Sequence, residues 1–279
     1  MKASKNKLFA ALLMAFLSGA CILNDTEPIQ SVSDETDHEP QETLDYCQIN
    51  IKPDIQSELN SEIQKLDCFI YSDKLESHIC LNSKNEFQTK FEVGKYCRII
   101  LIANAFGSFN ESALLHYDNW DNLELYLKNE RNEAPIMGGK NEFKIKKDSS
   151  ITVTLKPLIS IIHIRSITHH LGDDVILENP RIWIEGISNK ARLFQEEGYT
   201  PLEQSDSKPI VTGTDIGVYT QYPDIKFVVY PNEMPPSFFC PTTKVVLECE
   251  YNGKDTRQFR YEVHPIYRNT YIPLDLDIW

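Results

Sequence analysis

The stretch Ile151–Ile167, ITVTLKPLISIIHIRSI, holds two apolar runs parted by a proline. Ile151, Val153 and Leu155 alternate with Thr152 and Thr154, the period of two that turns one face of a strand toward a core. Pro157 then removes a ladder donor, so the strand stops there. Ile159–Ile167 resumes at once with a dense apolar run, as in a strand buried on at least one face. Two core strands in series, parted at Lys156-Pro157, predict two all-β units with a boundary between residues 156 and 157.

Short apolar runs of the same kind recur on both sides. Toward the N-terminus they predict strands at Gln48–Ile51, Lys65–Tyr71, Phe87–Phe91, Tyr96–Ala103, Glu142–Lys146 and Ser150–Leu155. Toward the C-terminus they predict Ile159–Ile167, Arg181–Glu185, Ala191–Phe194, Lys226–Tyr230, Thr243–Tyr251, Arg257–Val263 and Tyr271–Asp277. Turn chemistry separates them at Lys147-Asp148, Gly172-Asp173 and Asn252-Gly253-Lys254. The Asn-Gly pair makes Tyr251–Thr256 a hairpin signal. One stretch differs. Glu111–Glu130 (ESALLHYDNWDNLELYLKNE) spaces Leu114, Leu115, Trp120, Leu123, Tyr126 and Leu127 near the helical period. It predicts one or two short helices across a sheet edge or end, with Trp120 as a packing residue. The expected architecture is all-β: two β-sandwich domains in tandem, residues 46–156 and 157–279, with a short helical insertion in the first.

The N-terminus reads as targeting. Lys2, Lys5 and Lys7 precede the apolar run Leu8–Leu17, followed by Ser18-Gly19-Ala20. The run is about half the ~20 residues a spanning helix needs, so residues 1–20 are expected to be a signal peptide. Cys21 follows immediately, and LSGAC resembles a lipobox, with Leu17 one place further from the cysteine than usual. The plainer alternative is an ordinary cleavage site with an incidental cysteine. Acylation of Cys21 would tether the protein at ~0.8 kcal/mol per buried methylene. Residues 21–45 carry Asp25, Glu27, Asp34, Glu35, Asp37, Glu39, Glu42 and Asp45 with no Lys or Arg. That composition predicts an extended acidic tether. Acidic residues behind a lipidated cysteine also resemble a surface-export signal of Bacteroidetes lipoproteins.

The formal charge is −13, and removing the three leader lysines brings it to about −16. Such a balance argues against nucleic acid as a partner, because phosphate binding needs a basic footprint. No catalytic constellation emerges. Gly107-Ser108 lacks the frame of a nucleophile elbow, and Gly138-Gly139-Lys140 lacks the spacing of a phosphate loop. His169-His170 beside Asp173-Asp174 offers metal-competent groups, but a polar loop at a strand end accounts for them as well. Asp118 and Asp121 lack the frame of a calcium loop. No catalytic residue, cofactor or metal site is therefore expected. Six cysteines remain beyond Cys21: Cys47, Cys68, Cys80, Cys97, Cys240 and Cys249. An exported chain permits disulfides. Cys240 and Cys249 are near enough in sequence to bridge, Cys68 and Cys97 suit core positions, and the pairing stays open.

The order of segments resembles the fimbrillin superfamily of Bacteroidetes-type fimbriae, particularly its FimB/Mfa-like anchor and accessory subunits. The resemblance is carried by Cys21, Ile63–Asp73 (IQKLDCFIYSD), Gly94–Asn104 (GKYCRIILIAN) and Ala134–Gly139 (APIMGG) ahead of Ile151–Ile167. It continues through Tyr230-Pro231-Asn232, Thr243–Gly253 (TKVVLECEYNG) and Tyr267–Leu276 (YRNTYIPLDL). It implies two transthyretin-like, Greek-key sandwiches and a non-enzymatic role as a fimbrial subunit supporting cell adhesion. It also implies assembly with other subunits by β-strand addition, after a basic-residue-directed protease frees a first strand. This sequence departs from that pattern: no Lys or Arg lies between Cys21 and Lys52, and the first Arg is Arg98. The first strand is thus expected to be retained, as suits an outer-membrane anchor or accessory subunit. Thr270–Trp279 is expected to complete the second sandwich, with donation to a neighbour as the sharper alternative and Pro273 better placed at an edge. A second reading is a surface glycan-binding lipoprotein, in which Trp183, Tyr219 and Tyr222 would stack on sugars.

Overall fold

A computed structural model describes residues 45–279, apart from 60, 83–84, 108, 195–202, 234–241 and 252. The expected leader, Cys21 and nearly all of the acidic tether lie outside the described residues, as do Cys240 and Asn252.

Residues 46–157 supply β1 (Tyr46–Ile55), β2 (Leu66–Tyr71), β3 (Leu75–Leu81), β4 (Phe87–Glu92) and β5 (Tyr96–Ala103). They continue with the short β6 (Glu124–Tyr126), then β7 (Met137–Lys144) and β8 (Ser149–Pro157). Residues 160–278 supply β9 (Ser160–His169), β10 (Leu177–Glu185), β11 (Ile187–Ser188), β12 (Lys190–Arg192), β13 (Gln204–Ser205) and β14 (Ile210–Val211). The last long strands are β15 (Tyr219–Val229), β16 (Lys244–Tyr251), β17 (Asp255–Glu262) and β18 (Tyr271–Ile278).

The first half pairs in the order β3-β2-β5-β7-β8-β1-β4. Its β7–β8 ladder is confined to Met137↔Pro157 and Gly138↔Lys156, so the ribbon folds over there into two layers. Ile49, Ile51, Val153 and Leu155 from one layer meet Leu66, Cys68, Ile99 and Leu101 from the other in a single core. In the second half, β14-β10-β16-β17 faces β15-β9-β18. Ile182, Ile184, Val245 and Leu247 pack against Ile162, Ile164, Phe227 and Leu276 there. Both halves are β-sandwiches, and in each the first and last strands pair in parallel: β1 with β8, β9 with β18.

Most expected strands are present within a few residues, and Tyr96–Ala103 matches end to end. β3 was not anticipated. Neither was the full length of β15, where Pro223 sits inside a register shift between Gln221 and Ile225, the kind of bulge that accommodates proline. The segment Glu111–Glu130 forms two 3₁₀ helices, Tyr117–Asn122 and Leu127–Asn129, with β6 between them. Its place corrects the sequence expectation. It covers a sheet face, where Trp120 and Tyr117 pack on Phe69, Tyr71, Ile100 and Ile102 of β2 and β5. Asn and Asp compete with the backbone for hydrogen bonds and oppose a long α-helix; Asn119 Nδ2, for example, donates to the Ala113 carbonyl at 2.8 Å. Two-sided burial also explains why LDCFIY of β2 is buried at every residue. Gly138 and Gly139 lie in β7, where a Cβ on Gly139 would run into the Thr154 carbonyl oxygen. Gly139 is thus required by close strand approach, and Gly138 leaves room for the Leu193 side chain.

Candidate functional site

The terminal strands of the two halves differ in how their edges are paired. β1 alternates inward Cys47, Ile49 and Ile51 with outward Tyr46 and Gln48. It pairs antiparallel with β4 from Tyr46↔Glu92 to Ile51↔Phe87. On its other flank it pairs in parallel with β8 from Ile49↔Ser149 to Ile55↔Leu155. β1 is therefore an interior strand, paired on both flanks over Ile49–Ile51 and on one flank beyond, within its own chain.

β18 is placed differently: among the described residues it lies at the edge of its sheet, with β9 as its one neighbour. Leu276 and Ile278 are buried, Ile272 and Leu274 are partly buried, and Pro273, Asp275 and Asp277 face outward. Pro273 thus occupies an edge, as expected. Outward clasps hold the strand: Ser166 Oγ donates to Asp275 Oδ1 at 2.7 Å, and Arg165 pairs with the same carboxylate. That hydroxyl, and then the guanidinium, hold the Asp275 carboxyl below its usual range. His170 stacks on Trp279 at 3.9 Å between centroids and approaches Asp277 Oδ1 at 3.2 Å. Exposed pairs of this kind contribute little stability each. The strand's retention rests mainly on its apolar face.

The loop before β18 is anchored to the junction between the halves. Arg268 donates from Nε to the Pro157 carbonyl at 2.9 Å, from Nη1 to Leu193 at 3.0 Å and from Nη2 to Lys156 at 2.9 Å. Burial lowers its pKa to about 10, so it stays charged at neutral pH. Asn269, at φ 60°, accepts from the Glu58 N–H and donates to the Gln56 carbonyl. Nearby, Glu130 accepts from the Ile136 N–H at 2.9 Å and from the Tyr230 hydroxyl at 3.1 Å. Burial pushes the Glu130 carboxyl up to about 7. Sequence reasoning missed all three residues. The signal was an Arg-Asn pair directly ahead of a strand, with Asn suited to left-handed backbone.

The other candidates are not gathered into a site. His169 is buried, and neither of its ring nitrogens has a hydrogen-bond partner, while His170 turns outward to Trp279. Trp183 lies on β10, whereas Tyr219 and Tyr222 lie on β15 in the opposing sheet. Tyr219 is exposed, and Tyr222 is buried with its hydroxyl donating to the Thr214 carbonyl. They form no common stacking platform. A cavity of about 420 Å³ lined by Glu58, Leu59, Asn132, Ile161, Lys226 and Tyr271 holds none of the three. The five described cysteines beyond Cys21 are free thiols, and burial raises those of Cys97 and Cys249 to about 12 and about 11.

No family model matches the sequence, and no curated protein matches it. Solved structures do match in fold. A candidate cell adhesion protein of Parabacteroides distasonis superposes with a TM-score of 0.62 at 14% identity, covering 83% of this chain and 88% of that one. A fimbrilin of Porphyromonas gingivalis gives 0.56 at 13%, covering 77% and 81%. The tip fimbrial protein Mfa3 of the same organism, with a C-terminal truncation, gives 0.54 at 10%, covering 82% and 93%. At these identities the likeness is one of backbone. The chain has a fimbrillin-like β-sandwich fold.

Proposed function

We propose that this protein is a non-enzymatic anchor or accessory subunit of a surface fimbria, held in the outer membrane through acylated Cys21. It divides into domains 46–156 and 157–279, and each closes on itself by a parallel pair of its first and last strands. Other fimbrial subunits join it by β-strand addition, in which an extended segment adds to an exposed edge. The exposed flank of β18 is the edge best placed to receive one, because β1 has a neighbour on both flanks.

The observation that carries this reading is the double pairing of β1 within its own chain. A shaft subunit needs an open groove where a first strand has left. Here no Lys or Arg precedes β1 beyond Cys21 to direct a cut, and removal of β1 would uncover the core that Cys47, Ile49 and Ile51 fill against Leu66, Cys68, Ile99 and Leu101. A subunit that keeps this strand keeps its lipid as well, which is the requirement for a base or an accessory position.

Intact mass and N-terminal analysis of the protein from its native outer membrane tests the reading. The expected species begins at acylated Cys21 and contains β1. A species beginning beyond Tyr46 within laddering oligomers would overturn it in favour of a polymerising shaft subunit.

A further inference from the structure

The β2–β3 hairpin gathers three ligand types that metals share. Asp67 and Cys80 are direct cross-strand partners, and His78 lies opposite Phe69 one pleat further along. Positions two apart on a strand share a face, so the carboxylate, imidazole and thiol project together. Asp67 Oδ1 lies 3.0 Å from His78 Nε2 and 2.8 Å from Cys80 Sγ, and Cys80 Sγ lies 3.6 Å from His78 Nε2. Among the described residues this is the one group of three such side chains with ligand atoms all within 4.8 Å.

We infer that Asp67, His78 and Cys80 form a zinc-type transition-metal site, with a fourth position open to solvent on the exposed side of Cys80. Mixed N, O and S donors suit this ion class. Zinc bond lengths in tetrahedral geometry require edges of about 3.6 Å for S to N and about 3.4 Å for N to O. The first is present in the structure. The second needs a shift of a few tenths of an ångström, and the Sγ to Oδ1 edge must open somewhat more as the S–H···O contact gives way to the metal. The thiol proton leaves to water on binding.

The surroundings of the imidazole favour the same reading. His78 Nδ1 lies 2.7 Å from Glu111 Oε1 while Nε2 faces Asp67. A neutral imidazole carries one N–H, so it can donate to one of these carboxylates and not to both. A metal at Nε2 removes the conflict and leaves Nδ1–H for Glu111, the orienting contact that ligating histidines characteristically make. Phe69 stacks on the ring at 4.1 Å and 13°, which fixes its plane. Asp67 is fully buried, and Lys65 Nζ lies 3.0 Å from its Oδ2, leaving Oδ1 to face the other two ligands. With the Cys80 thiolate, Asp67 and Glu111 negative and Lys65 positive, the site sums to two negative charges, matching a divalent ion. The ion would join β3, an edge strand, to β2, while His78 Nδ1 links the site to Glu111 of the covering segment.

The test is titration of the reduced full-length protein in detergent with cobalt(II) and then zinc(II), after alkylation mass analysis shows the Cys80 thiol intact. One cobalt per chain with a thiolate charge-transfer band, displaced by zinc, and a higher melting temperature are expected. Cys80→Ser should abolish the band, and His78→Gln should abolish tight binding. Glu111→Gln, a change at an exposed side chain, should keep the band but bind zinc roughly 10–100-fold more weakly. Absence of stoichiometric binding to the folded wild type, or a band that survives Cys80→Ser, would overturn the assignment. So would zinc affinity indifferent to His78→Gln, the result if the ring is only an imidazolium between two carboxylates.

Discussion

At the scale of single residues, two positions make strong demands. Gly139 sits where β7 and β8 approach so closely that any Cβ meets the Thr154 carbonyl oxygen. Backbone cannot yield as a flexible side chain does, so Gly139→Ala should destabilise by about 1–3 kcal/mol, the usual range for overpacking. Gly107→Ala, with open space around its Cβ, should be nearly neutral, and paired denaturant melts would show the contrast. Glu130 makes the second demand. Burial first raises its carboxyl from an ordinary 4.5 to about 7, against the opposing pull of the Ile136 N–H, the Tyr230 hydroxyl and Arg268. The folded state therefore keeps this proton while the unfolded chain gives it up. Stability from this group is full below about pH 4.5, falls as pH rises toward 7 and is level above it. Its contribution to that fall is on the order of 2 kcal/mol, less than the full shift implies because the carboxyl keeps some contact with solvent. Glu130→Gln should flatten the profile between pH 4.5 and 7 in melts followed by circular dichroism. A mutant profile as steep as the wild type would show that other groups set it.

At the scale of elements, legibility followed the number of faces a segment buries. Tyr96–Ala103 was read end to end because a strand buried on both faces, among the cores beneath and above it, has a dense apolar run that no turn interrupts. β3 escaped because its Glu76, His78 and Cys80 interrupt a pattern that is only partly buried. The covering segment was read by spacing alone, which could not say whether it crossed an edge or a face. That depends on β2 and β5 having an outward face of Phe69, Tyr71, Ile100 and Ile102, a fact of pairing order. The Arg268 clasp was illegible for a related reason: its three acceptors are backbone carbonyls, which leave no mark in a sequence. It is nonetheless consequential. Arg268→Met keeps much of the side-chain volume but strands the carbonyls of Lys156, Pro157 and Leu193, a loss of about 3–4.5 kcal/mol at roughly 1–1.5 kcal/mol each. Chemical denaturation should show that loss. β18 invites a separate experiment. Deleting residues 271–279 should expose the apolar face that Leu276 and Ile278 cover, and a synthetic peptide of that sequence should restore the cooperative melt. Failure of the peptide to bind, with the truncated chain still folded, would mean the strand contributes little to its own sandwich.

At the scale of the whole molecule, assembly sets two forces against each other. Strand addition is short-ranged and acts through backbone groups that every edge shares. Charge is long-ranged, and this chain carries −13 over its full sequence, about −16 if residues 1–20 are removed. Approach of a second acidic subunit is opposed before any ladder bond can form. Outward acids on β18, Asp275 and Asp277, add to that opposition at the edge best placed to accept a strand, although Arg165 neutralises part of it. If subunits join at this edge as proposed, the same charges that guard it against indiscriminate pairing make assembly dependent on screening. Raising ionic strength from about 0.01 M to about 0.15 M shortens the Debye length from about 30 Å to about 8 Å. Association with a second acidic fimbrial subunit, followed by sedimentation velocity, should strengthen over that range, mainly through faster association. Asp275→Asn with Asp277→Asn should reproduce part of the gain at low salt. Association that weakens with salt would point the other way, to a partner edge of opposite charge and a contact selected by attraction.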